Sequence, residues 1–155
     1  MNTLAPPIQL VVFTLGEYRY GLQLSDVERV VRIVDITPLP KAPDIVLGVV
    51  DVQGQVIPVI NLRRRFRLPE REIDLADHLI VARTARRPLA LIVDAAIGVL
   101  ECSDRDVEPA REVLPGLEYV EGVAKLEDGL ILIHDLDKFL SLDEQAALDG
   151  VMESG

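Results

Sequence analysis

The sequence has at residues 48–62 the stretch GVVDVQGQVIPVINL, and this stretch decides the fold. The residues on either side of Gly54 are mostly apolar and β-branched, which favours strands. Gly54 itself lies where a hairpin would turn. The stretch therefore predicts a β-hairpin. Pro58 lies within its second strand and predicts that this strand is at a sheet edge or is bulged there.

A second copy of this pattern lies near the C-terminus, where residues 122–136 read GVAKLEDGLILIHDL. Both copies open with Gly-Val, and both end an apolar strand on Asn-Leu or Asp-Leu. An earlier pair of segments, 22–31 and 91–100, matches in the same order. The offsets between the copies are 69 and 74 residues. This internal repeat predicts two similar β-barrel units of about 65–75 residues each, packed on each other.

Short apolar stretches bounded by turn residues predict ten strands. They are Ile8–Leu15, Tyr18–Leu24, Val30–Val34, Ile45–Val52, Gln55–Leu62, His78–Arg83, Leu89–Val93, Ile97–Glu101, Val120–Leu126 and Leu130–Asp135. Asp128-Gly129 predicts a type I′ hairpin turn, which needs positive φ at both central residues. Two capping-box patterns predict helix starts. The pattern at Ser25 supports only a turn or two, and the pattern at Ser141 starts a short terminal helix.

Composition limits the classes of function. The chain has 155 residues, enough to bury a core without a disulfide or a metal. Its formal charge of −10 opposes binding to nucleic acid or to an anionic membrane. The single cysteine, Cys102, suits a reducing cytosol. The N-terminus has no basic n-region, and every apolar run is shorter than the roughly 20 residues of a membrane span. We therefore expect a cytoplasmic protein with no direct membrane insertion.

Residues that could carry chemistry are few. His78 and His134 are the only two histidines, and each lies on a predicted strand, where a strand-end or core role is commoner than metal ligation. Cys102 has no C-x-x-C partner. The carboxylates at 104–108 form a solvated loop run rather than an acid and base pair. A small enzyme would need a histidine or carboxylate constellation in a cleft. We therefore expect no catalytic residue, no metal site and no cofactor.

Five arginines crowd the end of the first hairpin and the loop after it: Arg63, Arg64, Arg65, Arg67 and Arg71. One interpretation is a solvated surface that discourages edge pairing between sheets. Another is a patch for an acidic partner. Nucleic-acid binding by these arginines is a remote alternative.

Several segments match one known family in order: Phe13–Gly16, Tyr20–Leu22, Val27–Val30, Ile36–Pro40, Ile45–Val49, Leu91–Asp94, Gly122–Val123 and Leu130–Ile133. They resemble the CheW-like chemotaxis coupling proteins. The most specific part is 48–63, which resembles the family signature GxxNLRGxxxPxxDLR. The resemblance covers nearly the whole chain, from Val11 to Leu148.

The resemblance implies a mainly β fold, with two intertwined five-stranded SH3-like barrels and a short C-terminal helix. Residues 8–75 would form the first barrel subdomain and residues 76–140 the second. The helix would cover residues 141–150. Together these parts would make one CheW-like domain.

The resemblance also implies a function. The chain would be a non-catalytic adaptor that couples the cytoplasmic tips of chemoreceptors to the regulatory domain of a CheA-type histidine kinase, at membrane-associated receptor arrays. Self-assembly in such arrays is left open. By similarity, the receptor-binding groove would use Val27, Val30, Gln53 and Val99. The kinase would bind the end of the first barrel, through Ile36, Thr37, Leu39, Leu47 and Val49.

One departure from the family pattern bears on the receptor. The Asn-Leu-Arg-Gly part of the signature reads Asp51-Val52-Gln53-Gly54 here. In the family the arginine is associated with receptor binding, and a glutamine cannot form a charge-assisted bidentate hydrogen bond. Asp51 adds a negative charge. The alternative is therefore a divergent CheW-like scaffold of a non-motility sensory pathway, which binds a kinase or itself but not a standard chemoreceptor.

Overall fold

The computed structural model describes residues 7–109 and 120–153. Within these ranges the chain forms eleven strands and two α-helices, with three short 3-10 turns at Leu24–Asp26, Asp104–Asp106 and Leu136–Lys138. The strands are β1 Ile8–Leu15, β2 Tyr18–Gln23, β3 Val27–Arg32, β4 Val46–Val52, β5 Gln55–Ile60, β6 His78–Arg83, β7 Pro88–Val93, β8 Ala95–Cys102, β9 Val107–Pro109, β10 Val120–Leu126 and β11 Gly129–His134. The helices are α1 Leu62–Arg65 and α2 Leu142–Glu153.

The strands form two sheets. The six-stranded sheet has the order β8-β1-β2-β11-β10-β9, and the five-stranded sheet has the order β3-β6-β7-β5-β4. In each sheet one pair is parallel, β2 with β11 and β5 with β7, and the other pairs are antiparallel. The predicted fold, two intertwined SH3-like β units with a short C-terminal helix, is confirmed. The three-residue β9 makes one sheet larger than the predicted five strands.

The two repeats exchange their hairpins. The β1–β2 hairpin lies in the sheet with β8, β10 and β11, whereas the β6–β7 hairpin lies with β3, β4 and β5. The predicted subdomains 8–75 and 76–140 therefore do not coincide with the two sheets. The physical reason is that the chain crosses from one sheet to the other after β2 and after β7, not between β5 and β6.

Irregularities in strand pairing also follow the repeat. The register of β4 against β5 shifts between Val46 and Gly48. The register of β10 against β11 shifts between Val120 and Gly122, the equivalent residues of the second copy. Such bulges bend a strand and are structural features rather than defects. The repeat found in the sequence is therefore a repeat of backbone geometry.

The buried apolar residues of the described ranges form three clusters, one inside each sheet unit and one between them. Alternate residues of β1 serve two of these clusters. Leu10 and Val12 pack inside the six-stranded unit, whereas Val11 and Phe13 pack in the central cluster. Because successive side chains of a strand point to opposite faces, a strand buried on both sides needs a nearly continuous apolar sequence. Residues 8–15 have such a sequence.

The C-terminal helix α2 starts with the predicted capping box. The Glu144 amide donates to Ser141 Oγ at 3.1 Å, and the Ser141 amide donates to Glu144 Oε1 at 2.8 Å. Leu148 of this helix is fully buried in the central cluster. The helix continues to Glu153, three residues beyond the predicted end. Among the described residues, no helix is long and apolar enough to cross a membrane.

The two hairpins correct one prediction about the β10–β11 turn and one about Pro58 in β5. In the β10–β11 turn the central residues are Glu127 and Asp128, and positive φ occurs only at Gly129, so the predicted type I′ turn at Asp128-Gly129 is wrong. Gln53 and Gly54 instead have φ of 52° and 85°, the signs that a type I′ turn requires. Pro58 does not mark an edge strand, because β5 lies between β7 and β4. However, β7 pairs with β5 only from Val59 onward.

Candidate functional site

An open groove of about 570 Å³ lies where the edge strands of the two sheets, β3 and β8, come together. All six residues of β3 line it, with Ala96, Gly98 and Val99 from β8 and Val11, Leu24 and His78 from elsewhere. Val30 and Val99 are equivalent residues of the two repeats. These two residues are 40% and 57% exposed. The groove is therefore built symmetrically, with one exposed valine from each copy.

The structure brings together three of the four residues predicted for this groove. Val27, Val30 and Val99 line it, but Gln53 does not. Gln53 lies at the tip of the β4–β5 hairpin, and β4 stands at the other end of the strand order from β3. At this tip the Gly54 amide donates to Asp51 Oδ1 at 2.8 Å. Asp51 thus stabilises the turn that presents Gln53.

Several groove residues were not predicted from the sequence, among them Arg29, Arg32, His78 and Gly98. His78 begins β6 and pairs with Arg32. Its Nδ1 is buried and has no hydrogen-bond partner among the described residues. The repeat was the signal that could have found the β8 side, because 22–31 and 91–100 align β3 with β8.

A second surface forms at the end of the five-stranded unit; we call it the β4 edge surface, made of Ile36, Thr37, Leu47 and Val49. The Thr37 amide donates to the Val49 carbonyl at 2.9 Å, and the Val49 amide donates back to the Thr37 carbonyl at 2.8 Å. Ile36 and Leu47 are partly buried against the cluster inside this unit.

Gly48 makes the close approach of the Thr37 backbone to β4 possible. A Cβ at Gly48 would lie only 2.2 Å from the Thr37 carbonyl oxygen. Leu39, the fifth residue predicted to contact the kinase, packs against the central cluster instead. The β4 edge surface therefore unites four of the five predicted residues.

The arginine cluster is neither a free basic patch nor a merely solvated surface, because most of it is paired within the chain. Four of the five arginines bond carboxylates at 2.6–3.0 Å: Arg63 with Asp94, Arg64 with Glu70, Arg65 with Glu144, and Arg71 with Asp77 and Asp94. These contacts tie α1 and the following loop to the β7–β8 junction, to α2 and to each other. Charges already engaged in this way have little left to offer a polyanion.

Asp94 is the centre of this network. It alone links β7 to β8, where the chain crosses between the sheets. Its carboxylate accepts from the Gly16 amide at 2.7 Å, from Arg63 at 2.8 Å and from Arg71 at 2.7 Å. Burial raises the pKa of Asp94, but the hydrogen bonds from Arg63 and Gly16 and the nearby Arg71 charge outweigh burial and hold the pKa below its usual value.

His134 and Cys102, two of the residues that could carry chemistry, lie in the packed interior. His134 is buried in the central core, and its ring stacks on Phe66 with centroids 4.2 Å apart. Cys102 is buried, and burial raises the pKa of its thiol, which disfavours the reactive thiolate. Among the described residues, no group of three or more His, Cys, Asp or Glu side chains could hold a metal ion.

Two intertwined SH3-like units, a groove between their edge strands and an apolar surface at one sheet edge define a protein-binding module. Residues 9–144 match the family model of the CheW-like domain. The chain belongs to the CheW-like family.

Comparisons with individual proteins support this family assignment. The chain is 32% identical to the chemotaxis protein CheW of Treponema pallidum, over 88% of this chain and 84% of that protein. It is 29% identical to the chemotaxis protein CheW of Thermotoga maritima, over 97% and 100%. A crystal structure of the scaffolding protein TtCheW from Thermoanaerobacter tengcongensis superimposes with a TM-score of 0.82 and 34% identity, covering 90% of this chain and 96% of that one. The protein is therefore an adaptor of chemotaxis-type signal transduction.

Proposed function

We propose that this chain couples chemoreceptor tips to a CheA-type histidine kinase, without catalysing a reaction, in the cytoplasm at receptor arrays. The observation that carries the proposal is the groove between β3 and β8, where Val30 and Val99 remain exposed at equivalent positions of the two repeats. Exposed apolar side chains in a concave surface favour a protein partner over solvent.

The shape of the groove suits a helix of the receptor tip. The groove follows the full length of β3, six residues or about 16 Å at a strand rise of about 3.3 Å per residue. Three turns of α-helix have about the same length. An amphipathic helix could lay its apolar face on Val30 and Val99, which is the usual helix-in-groove mode of recognition.

The β4 edge surface suits the kinase. β4 ends the strand order of its sheet, and among residues 7–109 and 120–153 the one bridge along its outer side joins Val49 to Thr37. Leu47 and Val49 add partly exposed apolar area. An open edge next to apolar side chains offers a partner both backbone hydrogen bonds and a hydrophobic contact.

The test is calorimetric titration of single variants against a receptor-tip fragment and, separately, against the kinase regulatory domain. Val99→Asp should weaken receptor binding at least about tenfold while kinase affinity stays unchanged. Leu130→Asp is the matched control, because Leu130 is 56% exposed but lies on β11, outside the groove. Val27 is unsuitable for this test because it packs against the central cluster. Equal receptor affinity of Val99→Asp and the wild type would refute the groove assignment.

A second candidate function rests on Gln53. At the hairpin tip this side chain carries no charge where the family pattern has arginine, which favours a scaffold that binds a kinase or itself but no standard chemoreceptor. Gln53→Arg discriminates between the two functions. Receptor binding that appears in Gln53→Arg and is absent from the wild type would support the scaffold. Binding by the wild type would eliminate it.

A further inference from the structure

The groove is positively charged, although the protein as a whole is not. Three residues that are charged at neutral pH line the groove: Glu28, Arg29 and Arg32. Glu28 is already engaged, because Arg83 Nε donates to its Oε1 at 2.8 Å. The formal charge of the whole chain is −10. Two arginines without a balancing carboxylate in the groove therefore stand out against the acidic surface.

Arg29 and Arg32 are exposed. Within residues 7–109 and 120–153, neither guanidinium forms a hydrogen bond or ion pair with another side chain. Arg63, Arg64 and Arg71 behave differently, since each binds a carboxylate of its own chain. A guanidinium can bind a carboxylate through two parallel hydrogen bonds. The two groove arginines keep this capacity for a partner.

The spacing of the two arginines sets a matching spacing on a helix. Three residues along β3 separate their Cα atoms by about 10 Å at a strand rise of about 3.3 Å. On a helix that runs along β3, about seven residues span the same distance at a rise of about 1.5 Å each. Arg29 and Arg32 are an odd number of residues apart, with Arg29 opposite Val81 and Arg32 opposite His78, so their side chains point to opposite faces of β3 and would meet opposite flanks of such a helix.

We propose that Arg29 and Arg32 determine partner specificity, by selecting a helix whose apolar stripe is accompanied by acidic residues on both flanks, about two turns apart. This inference rests on the proposed function, because it names the chemistry of the receptor segment that the groove takes. It also locates the positive charge that Gln53 lacks. The charge is on β3, inside the groove, rather than at the β4–β5 hairpin tip.

The test compares two double variants with the same change in net charge. Arg29→Glu/Arg32→Glu alters the groove. Arg67→Glu/Arg105→Glu is the matched control, because both residues are exposed and neither lines the groove. Each protein is titrated calorimetrically against receptor-tip fragments from the same genome at low and at high salt, after circular dichroism has verified the fold.

We expect the groove variant to bind at least about tenfold more weakly at low salt and the control to stay within about twofold of the wild type. High salt should narrow the difference, because it screens exposed charges. Changing the two acidic residues of the receptor fragment to lysine should restore binding to the groove variant. That reversal would show a direct charge contact.

Two results would overturn the inference, and they are distinguishable. If Val99→Asp weakens binding while the groove and control double variants behave alike, the arginines do not select the partner and the proposed function stands. If the wild type binds no receptor fragment, or if Val99→Asp binds as the wild type does, the receptor groove itself is refuted, and this inference with it.

Discussion

β4 and β10 are equivalent strands of the two repeats, yet they present opposite kinds of edge. On β4, Leu47 contributes apolar area, and in the described part of the chain the outer side is bridged only by Thr37. On β10, the equivalent residue is Glu121, whose carboxylate accepts from Gln23 Nε2 at 2.9 Å. The outer side of β10 is covered by β9, which pairs with three of its residues.

This difference shows how a repeated fold becomes a one-sided adaptor. The second copy closes its edge with its own chain, and the ion pair between Lys125 and Glu108 fastens β9 to β10. In the first copy, no described strand pairs along the equivalent edge, which has the single Thr37–Val49 bridge. Exposed edges invite pairing with other chains. The comparison therefore supports kinase binding at the first copy alone.

The largest effect on stability should come from Gly48 and Gly122, the third residues of β4 and β10. A Cβ at Gly48 would lie 2.2 Å from the Thr37 carbonyl oxygen, whereas a Cβ at Gly122 would lie 3.0 Å from Val107 Cγ1. We expect Gly48→Ala to lower the free energy of unfolding by about 3 kcal/mol and Gly122→Ala by about 1 kcal/mol. Urea unfolding followed by circular dichroism measures both. Equal losses would contradict the idea that the two edges are packed differently.

The next effect concerns affinity for the kinase. Leu47→Glu gives β4 the side chain type that β10 carries, and we expect it to weaken binding of the kinase regulatory domain about 30-fold, roughly 2 kcal/mol. Glu121→Leu is the reciprocal change and should leave that affinity unchanged. Calorimetry on both variants measures the effect. A loss in Glu121→Leu as large as in Leu47→Glu would place the kinase elsewhere.

A smaller difference in stability is expected between the two places where the chain crosses from one sheet to the other. The β7–β8 crossing is held by Asp94, whereas its repeat equivalent is the exposed Ser25. Because the pKa of Asp94 is lowered in the folded state, its stabilising contribution is present above the unfolded-state pKa of about 3.9 and is lost as the pH falls through the folded-state pKa. We expect Asp94→Asn to cost about 1–2 kcal/mol at pH 7, and Ser25→Ala under about 0.5 kcal/mol.

Urea unfolding at pH 7 and at about pH 2.5 gives the measurement. The stability difference between Asp94→Asn and the wild type should be smaller at the lower pH, because the wild-type contribution is lost as the pH falls through the lowered folded-state pKa of Asp94. A difference that stays constant with pH would mean that Asp94 acts through packing rather than charge.

The smallest expected change in stability concerns the turns of the β4–β5 and β10–β11 hairpins. Gln53 adopts a φ of 52°, and asparagine tolerates that conformation better than glutamine does. Gln53→Asn should therefore stabilise the fold by about 0.5 kcal/mol. Glu127→Asn should not, because the turn residues Glu127 and Asp128 have negative φ. Thermal unfolding of the two variants compares them, and a gain in Glu127→Asn would contradict this account of the turns.

Much of the fold was predictable because it is local. Alternating or continuous apolar residues predicted the bounds of β1, β6 and β10 to the residue. Two elements gave no such signal. β9 has three residues and ends in a proline, and α1 is a single turn capped by the Asn61 side chain, which accepts from the Arg64 amide at 3.1 Å. Neither is long enough to show a period.

The candidate site was less predictable, because it depends on which strands lie at the sheet edges and which of these edges come together. Val30 and Val99 could be proposed from resemblance, and the repeat aligned them. Arg29 and Arg32 could not be assigned to a groove, since nothing in the sequence shows that β3 and β8 are the edges that face each other. Gln53 was grouped with the groove by analogy, and the structure puts it on a different edge.

The exchanged hairpins have a consequence for synthesis on the ribosome. β3–β7 are contiguous in sequence, so the five-stranded sheet can assemble as soon as β7 has emerged. Tyr20 of β2, in contrast, pairs with Leu132, which follows roughly 5–20 seconds later at about 5–20 residues per second. The β1–β2 hairpin is therefore synthesised early, but its apolar faces remain uncovered until β11 has been made. We expect the middle of the chain to fold before its beginning.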